Sequence, residues 1–346
     1  MATPIDASIP DLLRLLVVPV FGWAAFRDVK TRRIPNWTWY PLAALAVVLL
    51  AWDTWQAWTG APGAPEFFWI RAAVSLGFVA PLVVAFWWFR AFGGADAKAF
   101  LVVAALFPTF PTYEVLSWHL PHQQTALGVF SLTILTNTVL LGALYPLSVL
   151  VRNAATGRFS SVMFVGKPVR WDAIPTEHGR LLETPDGTTR NGVDLDAIRM
   201  YLRWRGVALA DLRERTDRLR DPATLPAEPN PPTDGAVEVR ADGGEVAADA
   251  ATSSEVAASE ADSRGTSESA PEDDPWGAAA FLEDIDHGAY GTTPEKLRDG
   301  LDVLATEDEV WVSPGIPFVV PLFVGTAVAL TYGDLLFGAM ELAGLV

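Results

Sequence analysis

Apolar residues in this chain are gathered into blocks, not dispersed. Six runs stand out, at residues 12–26, 37–58, 67–89, 99–110 (extendable to 120), 125–151 and 316–337. Most approach the ~20 residues that cross a bilayer as a helix. None shows the alternation of a half-buried strand. The pattern predicts an all-α membrane protein with six transmembrane helices. About 160 residues lie between the fifth and sixth runs, so a large insert is expected there.

The polar stretches after runs one, three and five carry the cations: Arg27, Lys30, Arg32 and Arg33, then Arg90 and Lys98, then Arg152 and Arg158. The links on the opposite side carry none. Positive charge collects on the cytoplasmic face. The N-terminus and C-terminus are therefore expected outside, with the cation-bearing loops and the insert in the cytoplasm. The basic cluster follows the first run and Asp6 and Asp11 precede it, which is not the layout of a cleavable signal peptide.

The insert divides by composition. Residues 152–221 have the apolar content of a small folded cytoplasmic segment, with strand-like 162–171 and a helix over 194–205. Residues 222–275 hold 13 Asp/Glu against Arg240 and Arg264; such a stretch is expected to be an acidic disordered linker. Helical signals return over 276–310, where Thr293-Pro294-Glu295 has the form of a helix start. The expected layout is thus 1–151 (helices one to five with the loops that carry Asp28 and Asp96), 152–221, 222–275, 276–310 and 311–346 (helix six).

Charge and cysteine content narrow the chemistry. Net charge is −16, yet residues 1–151 hold 8 Lys/Arg and 7 Asp/Glu while residues 152–310 hold 17 and 32. The membrane part is near neutral and the insert strongly acidic. That argues against nucleic acid as a partner, since phosphates require Lys and Arg; the lipid bilayer is the expected surrounding. Abundant acid with little lysine also matches a protein from a high-salt source. With no cysteine, disulfides, a thiol nucleophile and a cysteine-based metal site are excluded. No metal and no cofactor is expected.

Two aspartates occupy matching places. Asp28 follows the first run, and Asp96 lies in Gly93-Gly94-Ala95-Asp96-Ala97-Lys98, between the third and fourth. Two carboxylates held close cannot both ionise easily, so one remains an acid while the other serves as a base. That division is what hydrolysis of a peptide bond needs. Gly93 and Gly94 permit close backbone approach, and Lys98 is placed to hold a substrate group or tune an acid. The same carboxylates would also suit a proton- or ion-coupled transporter, though transporters place such groups near the bilayer midplane and these sit at its edge. Plainer roles suit the rest. Arg14 snorkels; Asp53, Glu66, Glu114 and Asp334 are interfacial; His119 and His122 lie on an outer loop. Asp172, Glu177 and His178 decorate the insert, and Glu307-Asp308-Glu309 is a solvated run.

These residues resemble the archaeal type IV prepilin peptidases, the group that includes preflagellin (prearchaellin) peptidases, which are membrane aspartic proteases of the GxGD type. Asp28 with Lys30, Arg32, Arg33, Ile34, Pro35 and Asn36 is similar to the family's first-aspartate loop. Gly93 to Lys98 resembles GxGDxK, with Ala95 in place of the last glycine. Ser313-Pro314-Gly315-Ile316-Pro317-Phe318 is similar to its Pro-x-Ile-Pro-Phe segment. The resemblance implies that Asp28 and Asp96 are catalytic, with Gly93, Gly94, Ala95, Lys98, Lys30, Pro35, Asn36, Pro314, Ile316 and Pro317 in support. It also implies that pilin-like or archaellin precursors lose a short basic leader at the cytoplasmic membrane face. The cysteine metal site of many bacterial relatives, which also methylate the new N-terminus, is missing, which argues against methyltransferase activity.

Overall fold

The computed structural model describes residues 5–31, 34–61, 64–89, 92–237, 274–285, 288–315 and 318–345. The chain forms two compact units, Met1–Leu147 with Ile316–Val346, and Ser148–Gly315.

In the first unit, strand β1 (Ile5–Ala7) leads into α1 (Ile9–Arg14) and α2 (Val17–Thr31). A 3-10 turn at Asn36–Thr38 opens α3 (Trp39–Thr59), which stops at Gly60 in the left-handed region, φ 63°. Helices α4 (Phe68–Val74) and α5 (Ala80–Trp88) run on through a π turn at Ser75–Val79. Then come α6 (Gly94–Leu106), the hairpin β2 (Tyr113–Val115) and β3 (Trp118–Leu120), and α7 (Phe130–Ala155). Strand β1 adds to the hairpin, pairing antiparallel with β2. After the insert the unit closes with helices Val319–Thr331 and Leu335–Leu342.

Among the described residues, three segments are long and apolar enough to cross a membrane: Ile9–Thr31, Phe68–Trp88 and Phe130–Ala155. In lipid each backbone N–H and C=O must be satisfied internally, which is why such runs become helices. The chain is a mostly helical, multi-pass membrane protein. It is not all-α, because short strands form in both units.

The expected sixth run is not one helix. Its first part ends at Thr331, and Gly333 takes φ 106° before Asp334 caps the next helix by accepting from Phe337 N–H at 3.0 Å. A backbone bridge from Gln123 to Gly333 fills the break.

Small residues let the helices approach. Ala24, Ala25, Ala46, Ala97, Ala99 and Ala104 are buried around Phe21, Phe100, Phe107 and Phe130. Helix α7 and Val319–Thr331 meet so closely that a Cβ at Gly325 would lie 2.8 Å from Thr138 Oγ1. Such contact is how apolar helices gain packing energy when lipid is as apolar as they are.

Arg14 does not snorkel. It is 4% exposed, donates to Leu106 O at 2.9 Å and to Asp11 at 2.7 Å, and also pairs with Asp53, itself 3% exposed. Asp53 is thus an internal partner, not an interfacial residue.

The second unit has its own core around Ile174, Leu181, Tyr201, Trp276 and Phe281. Strand β4 (Lys167–Arg170) and strand β5 (Arg180–Leu181) flank the later strand Glu309–Ser313. Helix α8 (Leu195–Arg205) is capped by Asp194, which accepts from Asp196 N–H at 3.0 Å, and ends at Gly206 with φ 72°. The helix Pro294–Thr306 starts at the Thr293 cap. The start of the acidic stretch packs: Asn230 N–H donates to Trp204 O at 2.9 Å, and Gly235 O accepts from Arg199 Nε at 2.7 Å. Residues 238–273, most of the expected disordered linker, lie outside the described residues. Glu309 opens its strand and pairs with Arg158 at 2.7 Å, so the acidic run is only partly free in solvent. Asp172 and Glu177 hold separate cations, Arg170 at 3.2 Å and Lys167 at 2.8 Å.

Candidate active site

Asp28 lies on the final turn of α2. The sequence placed the polar turn from Arg27 onward, but the helix continues to Thr31, whose Oγ1 donates to Arg27 O at 3.0 Å. A helix leaving lipid need not stop where its apolar residues stop. Asp28 is half-buried, three, four and seven residues after Ala25, Ala24 and Phe21, all buried, so it shares their inward face. The neighbouring cations take the outer side: Arg27 sits 5.6 Å from the Trp23 ring and Lys30 4.5 Å from the Phe26 ring. These are cation–π pairs suited to an interface.

Asp96 lies in the first turn of α6, ahead of the apolar stretch that begins at Ala99. The helix starts five residues earlier than that stretch, because Gly93 N–H donates to Asp96 Oδ2 at 3.1 Å and closes the first turn. Burial pushes the Asp96 carboxyl above the usual carboxylate range. The Gly93 N–H opposes that shift, and the negative charge of Asp28 adds to it. The two acids, 68 positions apart, are thus within electrostatic reach.

The supporting residues separate into distinct places. Pro35 is extended, φ −61° and ψ 142°, just before the 3-10 turn that Asn36 opens. Lys98 Nζ donates to Asn36 Oδ1 at 2.6 Å, joining the first motif to the second. Lys98 follows Asp96 by two, and residues so spaced on a helix do not face each other; its ammonium is directed at a loop rather than at the acid. A Cβ on Gly93 would come 3.0 Å from Asp96 Oδ2, whereas one on Gly94 would meet nothing within 4 Å. Ala95 is helical with φ outside the left-handed region, so alanine fits where the motif has glycine. Lys30 is exposed. Pro314 is buried in the second unit, following the strand Glu309–Ser313. Ile316 and Pro317, with Arg32, Arg33 and Arg90, lie outside the described residues.

Sequence reasoning missed an aromatic wedge behind the second motif. Phe92 stacks on Phe100 at 5.5 Å and 9°, and touches Phe318 at 5.0 Å and Phe86 at 5.2 Å. It anchors the residue immediately before Gly93 to three helical segments. The available signal was a phenylalanine abutting a Gly-Gly pair, a turn that must be held from one side.

Residues 15–147 match the type IV leader peptidase family. No curated protein matches the chain. The matched stretch contains Asp28, Asp96 and both of their motifs, while the third motif lies beyond it. Through this stretch the chain is similar to the type IV leader peptidase family.

Proposed function

We propose that Asp28 and Asp96 are the catalytic pair and that the scissile bond lies in the leader of a pilin-like or archaellin precursor. The observation that supports this reading is the 2.6 Å bond from Lys98 to Asn36, which joins the motif of Asp28, on the last turn of α2, to that of Asp96, on the first turn of α6. Asp96, whose carboxyl burial holds above the usual carboxylate range, serves as the acid. Asp28 takes a proton from water as the water attacks the scissile carbonyl, and Asp96 gives its proton to the carbonyl oxygen. On collapse of the tetrahedral intermediate, the proton gained by Asp28 passes to the leaving amine and the oxygen's proton returns to Asp96. The products are two shortened chains, and both acids recover their starting forms.

The same reading places six membrane crossings, with the insert between the fifth and sixth. Among the described residues, three segments meet the length and apolarity of a span unaided. Helix α3 has 21 residues, α6 has 13 and Val319–Thr331 has 13. The last two, about 20 Å each at 1.5 Å per residue, cross with help from flanking segments. The cation distribution puts both acids and the insert in the cytoplasm and both termini outside. A substrate's apolar helix would enter lipid beside the spans, leaving its basic leader at the acids. The transporter reading needs ionisable groups at the midplane; Asp28 and Asp96 lie at helix ends.

The test is direct. Asp28→Asn and Asp96→Asn should each abolish cleavage of a pilin-like precursor while the protein stays in the membrane. Full cleavage by either variant would remove the pair from the mechanism.

A further inference from the structure

The two acids stand on helices whose main packing partners differ. Helix α2 packs chiefly on Val319–Thr331, and α6 on α3 and α5. Among the described residues, one link at the acid-bearing end is the stretch 34–36 between α2 and α3. Its Ile34 is packed on the core, Pro35 restricts the backbone next to it, and Asn36 accepts the 2.6 Å bond from Lys98. A charged donor makes this a short, directional bond. The chain leaves α2 only three residues after Asp28, and Lys98 is only two residues past Asp96.

We propose that Lys98 is a positioning residue: by holding Asn36 it ties the α2–α3 connection to the start of α6, and so sets the separation of Asp28 and Asp96. One helix turn does both tasks. Asp96 faces the inward side, and Lys98, about 200° further round, faces the loop. Both bonded side chains are exposed, so the tie contributes little to folding. Its contribution is to geometry, where a misplacement of about 1 Å costs on the order of 10²-fold in rate. The proposal rests on the reading that the two aspartates are the catalytic pair.

The experiment measures kcat and KM for precursor cleavage by the full chain carrying Lys98→Met, Asn36→Ala, both together, or Lys98→Arg, with Asp28→Asn alongside. Detergent melting of each variant checks that it is folded. Lys98→Met and Asn36→Ala should each lower kcat by roughly 10- to 100-fold with KM nearly unchanged. The double variant should be no worse than the worse single one, because both remove the same bond. Lys98→Arg, which keeps a donor, should recover most of the loss. An unchanged kcat in both single variants, with Asp28→Asn inactive, overturns the positioning role and leaves the catalytic pair intact. A raised KM for Lys98→Met alone, with Asn36→Ala silent, also overturns it and makes Lys98 a substrate contact. Cleavage by Asp28→Asn would instead bring down the reading beneath.

Discussion

At Gly93 the backbone is ordinary extended chain, φ −67° and ψ 160°, yet a Cβ there would lie 3.0 Å from Asp96 Oδ2. The glycine therefore answers to its neighbour's carboxylate and not to its own torsions. Gly93→Ala should displace Asp96 and lower cleavage by about 10-fold or more, on the scale of a sub-ångström to 1 Å misplacement. Gly94→Ala, with open space around it, and Ala95→Gly should stay near wild-type rate. Equal loss at 93 and 94 would show the turn to be wrongly assigned. The presence and spacing of both aspartates could be read directly from the sequence, since each follows an apolar run with cations close by. Which glycine matters could not, because close approach depends on a side chain's rotamer. The partnership of Lys98 with Asn36 was equally hidden, for nothing in a linear spacing of 62 marks a contact.

Among the elements, helix ends were the hardest to read. Helices α2 and α6 both extend beyond their apolar runs and take an aspartate into the helix, because hydrogen bonding rather than hydrophobicity decides where a helix stops. The break at Gly333 was signalled by the glycine but masked by the apolar residues around it. The helix start at Thr293 was legible because capping is a local interaction. Arg14 and Asp53 each read as a solvent-reaching side chain, and only packing reveals that they meet inside. Removing one member of a buried charge pair leaves the other uncompensated, which costs about 3–5 kcal/mol. Arg14→Met should therefore lower the melting temperature in detergent markedly, while a change at exposed Lys30 should leave it nearly unmoved. Similar melting of both variants would mean the pair is solvated.

For the whole molecule, the family resemblance and the membrane setting follow from the order of apolar blocks and three short motifs, while the insert's limits do not. Pro-rich residues 222–237 have the composition of a linker but pack on α8 through hydrogen bonds of their backbone that composition does not encode. Deleting 238–273 should preserve cleavage and folding. A deletion that reaches residues 222–237 or Trp276, fully buried in the insert core, should unfold the insert, as read by proteolysis.

Stability should also report the acid's environment. A carboxyl whose native pKa exceeds its unfolded value, ~3.9, contributes stability that is complete below that value and is lost as pH rises through the native one. Asparagine has no such dependence. Asp96→Asn should thus gain stability over the wild type from roughly pH 4 upward, levelling off above the native pKa of Asp96. The most direct test of the two acids meeting is infrared titration of the protonated Asp96 carboxyl, identified by its loss in Asp96→Asn. The account predicts that this carboxyl stays protonated well above the usual carboxylate range, and that in Asp28→Asn it ionises at a lower pH, because the neighbouring negative charge has gone. A titration at the same pH with and without Asp28 would contradict it.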